Sequence, residues 1–224
     1  GVLALLALLV GLPTAAPAQP TADGPWSIND VLTQRSLTDV DIGPEGERVL
    51  WVKETPDMEA DETQSDLYLT YRDDPHGGDA TATIRLTRTG NNGDPRWSPD
   101  GHHIAFLSSR EAADGESNGT QLWRLDPRGG APEAVTSVEH GVRGARWLDN
   151  TRILFAAREK STRYETHLKE TEDDARVVED TTLYRPVRLF VVNVETETVT
   201  RVTENDDQIS EFAPSPDGKY VVYS

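Results

Sequence analysis

Residues Gly115-Glu116-Ser117-Asn118-Gly119 spell G-x-S-x-G. In that pattern a serine on a strained strand-to-helix turn becomes the nucleophile of an α/β-hydrolase. The chemistry needs a strand before the serine and a helix after it. Here Arg110 to Asn118 is polar, and Gln121 to Leu125 reads as a strand. Nothing nearby supplies an oxyanion hole, so Ser117 is expected to be a loop residue. His102 and His103 lie on a hairpin turn whose counterparts hold Glu47, Arg48, Lys219 and Tyr220, and read as exposed decoration rather than metal ligands. Asp73-Asp74-Pro75-His76-Gly77-Gly78-Asp79 offers oxygen donors to a calcium ion but lacks the EF-hand spacing, and reads as a plain turn. Asn118-Gly119-Thr120 is a glycosylation sequon, meaningful in a eukaryotic source. No phosphate loop, dinucleotide fingerprint or zinc spacing occurs. No catalytic, substrate-binding or metal residue is assigned from these motifs, and no cofactor is expected.

The elements that would position such residues come from a repeat. Ile42-Gly43-Pro44-Glu45-Gly46 leads into Val49 to Val52, and Trp97-Ser98-Pro99-Asp100-Gly101 leads into Ile104 to Leu107. A worn copy, Trp147-Leu148-Asp149-Asn150-Thr151, leads into Ile153 to Ala156, and Pro214-Ser215-Pro216-Asp217-Gly218 leads into Tyr220 to Tyr223. Proline presets the second turn position, Asp tolerates the third, and glycine accepts the left-handed conformation that follows. Each copy is therefore a tight hairpin whose outgoing strand is apolar on both faces, as a strand buried on both faces must be. A second strand pair follows each of the first three: 66–71 with 83–87, 121–126 with 133–136, and 188–193 with 198–203. Four-stranded antiparallel units repeated at this spacing are propeller blades. The expected fold is all-β, a partial β-propeller of three blades and the start of a fourth. Its blades cover about 38–88, 91–137, 140–203 and 206–224, and a β-sandwich is the alternative.

The 224 residues carry a net charge of −17 and no cysteine. That charge opposes a nucleic-acid partner, and the missing thiols exclude disulfides and cysteine-ligated zinc. Charged residues make up 27% and mean hydropathy is −0.57, a soluble globular composition.

Residues 1 to 22 are uncharged, and Leu3 to Leu12 is an apolar run too short to span a bilayer. Ala16-Pro17-Ala18 follows, a small-x-small site. Residues 1–18 read as a signal peptide cleaved between Ala18 and Gln19, which predicts an exported, periplasmic or secreted protein without a membrane span after cleavage. An uncleaved anchor is the alternative. An initiator Met and basic leader are lacking, so the chain reads as truncated there. Residues 19–37 read as a linker and a helix capped by Ser27 that runs to about Leu37. Two insertions interrupt the blades. Lys53 to Gln64, acidic and without periodicity, is expected to be a loop. Glu159 to Tyr184 is charged and is a candidate for a substrate-facing role, and its Val177-Val178 pair is a candidate for a short extra strand.

The Ser-Pro-Asp-Gly turn, with tryptophan before it and an apolar strand after it, resembles the propeller repeat of the prolyl oligopeptidase family of serine peptidases, in its acylaminoacyl- and dipeptidyl-peptidase branch. It is also similar to TolB-type propellers. The opening Trp26-Ser27-Ile28-Asn29-Asp30-Val31-Leu32, the insertion carrying Asp174-Ala175-Arg176-Val177-Val178, and Arg188-Leu189-Phe190-Val191-Val192 favour the peptidases. Blade three lacks the turn's proline and aspartate, and Glu45 stands where blade one would hold Asp. The resemblance implies a propeller that admits short peptides to a Ser-Asp-His triad on an α/β-hydrolase domain. No triad residue can be matched here, so the chain alone is expected to be inactive. The rival implication is a periplasmic propeller that binds protein partners without enzymatic activity.

Overall fold

The computed structural model describes residues 32–72, 82–111, 119–160 and 185–224. Fourteen strands fill them, in three four-stranded antiparallel sheets and a two-stranded one. Blade one is β1 (Ser36–Ile42), β2 (Arg48–Asp57), β3 (Glu62–Tyr71) and β4 (Thr83–Arg85). Blade two is β5 (Asn92–Trp97), β6 (Ile104–Ser108), β7 (Gln121–Leu125) and β8 (Glu133–Ala134). Blade three is β9 (Val142–Trp147), β10 (Arg152–Arg158), β11 (Val187–Asn193) and β12 (Val199–Arg201). β13 (Phe212–Pro214) and β14 (Val221–Tyr223) form the last pair. Strand order within every sheet follows chain order, the meander of a propeller blade.

The doubly apolar second strands are explained by what lies on each side. Ile104 and Phe106 of β6 pack with Leu50, Val52, Leu67 and Leu69 of blade one. Ala105 and Leu107, alternating with them, pack with Ala145, Ile153 and Phe155 of blade three. In β10 the same alternation sends Ile153 and Phe155 toward blade two, and Leu154 and Ala156 toward Ile209, Phe212 and Val221. The period of two thus feeds two separate cores, one on each face of the sheet. Phe106, Phe155 and Leu154 are fully buried, each stabilising the stack by about 1.5–3 kcal/mol on transfer grounds.

Three expectations need correction. Lys53 to Gln64 is a hairpin rather than a loop: β2 and β3 stay paired from Lys53↔Asp66 out to Asp57↔Glu62. Its tip is closed by the Asp57 Oδ1, which accepts from the Glu59 and Ala60 amides, and by Asp61 at φ 53°. An Asx turn with one left-handed Asp does here what Gly would do elsewhere. Second, Ser36 and Leu37 are strand, paired with Glu54 and Lys53, so β1 begins before the expected helix ends. Third, β14 is not buried on both faces. It pairs only with β13 among the described residues, and Val222 and Tyr223 stay exposed. Residues 1–31, which hold the expected signal peptide and the first part of the helix, lie outside the described residues, as do 173–180.

Candidate functional site

The repeated turns share one atomic plan. In blade two the Gly101 amide donates to the Ser98 carbonyl at 2.8 Å, and Gly101 takes φ +67°. Ser98, fully buried, donates its hydroxyl to Asp100 Oδ1 at 2.6 Å and accepts from the His103 amide at 2.9 Å. The Asp100 Oδ1 also accepts from the His102 amide at 3.0 Å. Burial of Asp100 opposes its charge, yet the Ser98 and His102 donors outweigh it and hold the carboxyl below its ordinary value. Ser215, Asp217, Lys219 and Tyr220 repeat the pattern with distances of 2.6, 3.2 and 3.0 Å. Asp is therefore an acceptor that closes the turn, beyond merely tolerating its third position.

These turns also link neighbouring blades. Arg48 lies over the Trp97 ring, 4.4 Å from its centroid, a cation–π contact between blades one and two. Asn150 Oδ1 accepts from the Asp100 amide at 3.1 Å, joining the turns of blades two and three. A Cβ on Gly218 would sit 3.1 Å from the Leu148 carbonyl oxygen, so the fourth turn leans on the third.

The first strands of successive blades converge and are tied by carboxylates, which makes β1, β5 and β9 the inner edge of the array. Asp39 Oδ2 on β1 accepts from the Asp94 amide on β5 at 3.1 Å. Asp41 Oδ2 accepts from the Trp97 amide at 2.8 Å. Asp94 Oδ2 accepts in turn from the Ala145 amide on β9 at 3.2 Å, and both its oxygens take Arg146 Nη1 at 3.0 Å. Arg96 pairs with Asp94 Oδ1 at 2.5 Å. The ladder shifts register between Gly93 and Arg96, and Asp94 sits at φ 46°. That bulge takes Asp94 out of the ladder and aims its carboxylate at the next blade. Burial raises the Asp41 carboxyl above its ordinary value, with the Trp97 amide, Arg96 and Arg146 pulling the other way. Arg96 and Arg146 balance part of the charge of these three carboxylates, and the inner edge is polar and tied by hydrogen bonds. These groups form no nucleophile–base pair.

Two further repeated features escaped the sequence reading. Thr87, Thr136 and Thr203 are buried, and each Oγ1 accepts from a third-strand amide: Leu67 at 2.9 Å, Leu122 at 3.0 Å and Leu189 at 3.0 Å. The signal was an apolar–Thr pair after each fourth strand, at 86–87, 135–136 and 202–203. Each blade also carries one cross-strand aromatic pair, Trp51↔Tyr68, Phe106↔Trp123 and Phe155↔Phe190. The first is stacked at 4.7 Å and the third at 5.6 Å.

The remaining motif residues fall as follows. His102 is exposed and His103 half-buried, and both contribute backbone amides to the turn. No group of three His, Cys, Asp or Glu side chains suited to a metal occurs among the described residues. Ser117, the Asp73–Asp79 stretch and the Ala18–Gln19 bond lie outside the described residues.

No family model matches the chain. It is 27% identical over 217 residues to the uncharacterized peptidase YuxL of Bacillus subtilis (strain 168), covering 88% of this chain and 30% of the relative. It is 27% identical over 131 residues to the probable dipeptidyl-peptidase 5 of Aspergillus terreus, covering 54% of this chain and 18% of that one. Its fold superposes on an acylaminoacyl peptidase solved with Z-Gly-Gly-Phe-chloromethyl ketone, with a TM-score of 0.61 and 16% identity, over 88% of this chain and 29% of that one. The chain thus spans 30% or less of the length of these relatives. In sequence and in blade architecture it matches the N-terminal β-propeller of prolyl oligopeptidase family peptidases.

Proposed function

We propose that this chain is the substrate-gating propeller of an exported serine peptidase that acts on short peptides, of the dipeptidyl- or acylaminoacyl-peptidase type. In this reading the catalytic serine belongs to an α/β-hydrolase domain of a longer protein. The observation that carries the proposal is the match to a peptidase over 88% of this chain and only 30% of the relative, which leaves most of a peptidase beyond the matched part. The inner edge tied by Asp39, Asp41 and Asp94 supports the gating role, because an edge held by cross-blade hydrogen bonds resists widening. The uncharged segment ending at Ala16-Pro17-Ala18 supports export.

The test uses the longer protein that contains this chain. It is expected to react with an active-serine probe and to cleave di- to tetrapeptide chromogenic substrates in preference to long or folded ones. No probe labelling and no turnover would leave a partner-binding propeller as the reading. N-terminal sequencing of the exported protein should begin at Gln19; a start upstream of Leu3 overturns the signal-peptide assignment.

A further inference from the structure

β10 runs from the blade-three turn to Arg158, which pairs with Val187 at the far end of the sheet, opposite the repeated turns. At that end a groove of about 900 Å³ opens between the exit of blade two and strands β10 to β12. Its floor is apolar, with Phe190 and Val199. Its rim is cationic, with Arg158, Lys160, Arg185 and Arg201. Two acids also line it, Glu139 and Glu159. Glu159 is already engaged: its Oε1 accepts from Arg201 Nη1 at 2.5 Å and lies 3.5 Å from Arg188 Nε. Arg185 is fixed by donating Nη1 to the Lys160 carbonyl at 2.8 Å. Arg158 and Lys160 form no ion pair among the described residues.

At one position beside the groove, blade three differs in charge from the first two blades. The position before the buried third-strand leucine holds an acceptor in the first two blades: Asp66, paired with Arg85 at 2.5 Å, and Gln121, which accepts from Thr136 Oγ1 at 3.0 Å. Blade three has Arg188 there, whose Nε is buried without a hydrogen-bond partner. A chain of net charge −17 thus collects cations around one apolar floor.

We infer that this groove is a peptide-binding site separate from the inner edge, and that it takes the free carboxylate of a short peptide ending in an apolar residue. The surplus cations at the rim match one carboxylate, which Arg can hold through two parallel hydrogen bonds. The floor of Phe190 and Val199 matches the terminal side chain. The volume lies within the range of about 300–1,000 Å³ usual for small-ligand sites. The acidic remainder of the chain repels the same ligand elsewhere. The choice of a peptide over another apolar carboxylate rests on the peptidase reading above.

Binding without turnover separates the two readings. The full chain is titrated with fluorescently labelled Gly-Gly-Phe as the free acid and as the C-terminal amide, by anisotropy. The acid is expected to bind at least tenfold more tightly, and its affinity should fall on raising salt from 50 to 500 mM. Arg158→Gln with Lys160→Gln, both at exposed positions, should bring the acid to the level of the amide with an unchanged melting temperature. Equal binding of acid and amide, or an acid affinity untouched by the double substitution, overturns the site. Competition by acetate as strong as by the peptide acid overturns the apolar part of the proposal. Failure of the peptidase reading would appear instead as missing turnover by the longer protein.

Discussion

The carboxylate of Asp94 accepts the backbone amide of Ala145 across the boundary between blades two and three. The same side chain binds Arg146 with both oxygens, so one residue fixes the spacing of two first strands. Asp94→Ala should destabilise the fold by about 1.5–3 kcal/mol, the range for hydrogen bonds to a charged group. Thermal denaturation of the full chain would check this, and hydrogen exchange should show the Ala145 amide opening early. A melting point within error of wild type would mean that the tie is not a structural one.

Two turn glycines should respond differently to alanine. Gly46 and Gly101 share left-handed backbone, at φ +72° and +67°. A Cβ at Gly46 meets nothing within 4 Å, whereas one at Gly101 would come within 2.7 Å of Arg48 Nη2. Gly46→Ala should cost about 1 kcal/mol from backbone strain alone. Gly101→Ala adds displacement of Arg48 from Trp97, worth about another 0.5–1 kcal/mol. The difference should vanish in an Arg48→Ala background, which a double-mutant cycle measures.

Thr136→Val removes the acceptor of the Leu122 amide and the donor to Gln121 Oε1 while keeping the shape. A buried amide left unpaired costs about 1–3 kcal/mol. Thr136→Ser should restore most of it. Thr87→Val and Thr203→Val should give losses of similar size, read by chemical denaturation, because Leu67 and Leu189 depend on them in the same way.

The acid response should have two opposite components. Asp126 is lowered to about 2 chiefly by its hydrogen bond from Arg128. Its contribution is present above the ordinary value of 3.8 and is lost as pH falls toward about 2. Asp41 runs the other way. Burial raises its folded pKa, the unfolded chain releases this proton first, and stability falls as pH rises above 3.8 through the folded value. Asp41→Asn, which keeps an oxygen for the Trp97 amide, should therefore raise the melting temperature at pH 7 and give no gain below the unfolded pKa. A gain that persists in acid would assign the effect to something other than ionisation.

Residues 19–224 purified alone should show no turnover of aminoacyl or acylaminoacyl chromogenic substrates. Measurable hydrolysis would place a nucleophile within this chain.

The architecture was legible because a blade's turn and its neighbouring strands are local. Pro99-Asp100-Gly101 and Ile104 to Leu107 each state their own conformation within a few residues. The inner edge was not legible. Asp39 and Asp94 are separated by 55 residues, and nothing in either neighbourhood marks the other as its partner. The Lys53 to Gln64 hairpin hid for a different reason. Its strands project beyond the core, Glu54 is half-buried and Glu62 exposed, so no alternation of apolar residues advertises them. The apolar–Thr pair could have been read, since it recurs in register with the turns, but its purpose lies in an amide one strand away.

Asn150 is the residue that the worn third copy holds near the place where its relatives keep Gly101 and Gly218, and its side chain caps the turn of the copy before it. Drift among the repeats has therefore become a form of addressing. Identical blades would stack in any order and slip past one another during folding. Blades that have diverged at their contacts accept only one neighbour on each side. The least faithful copy of the repeat is what marks which blade stands before it.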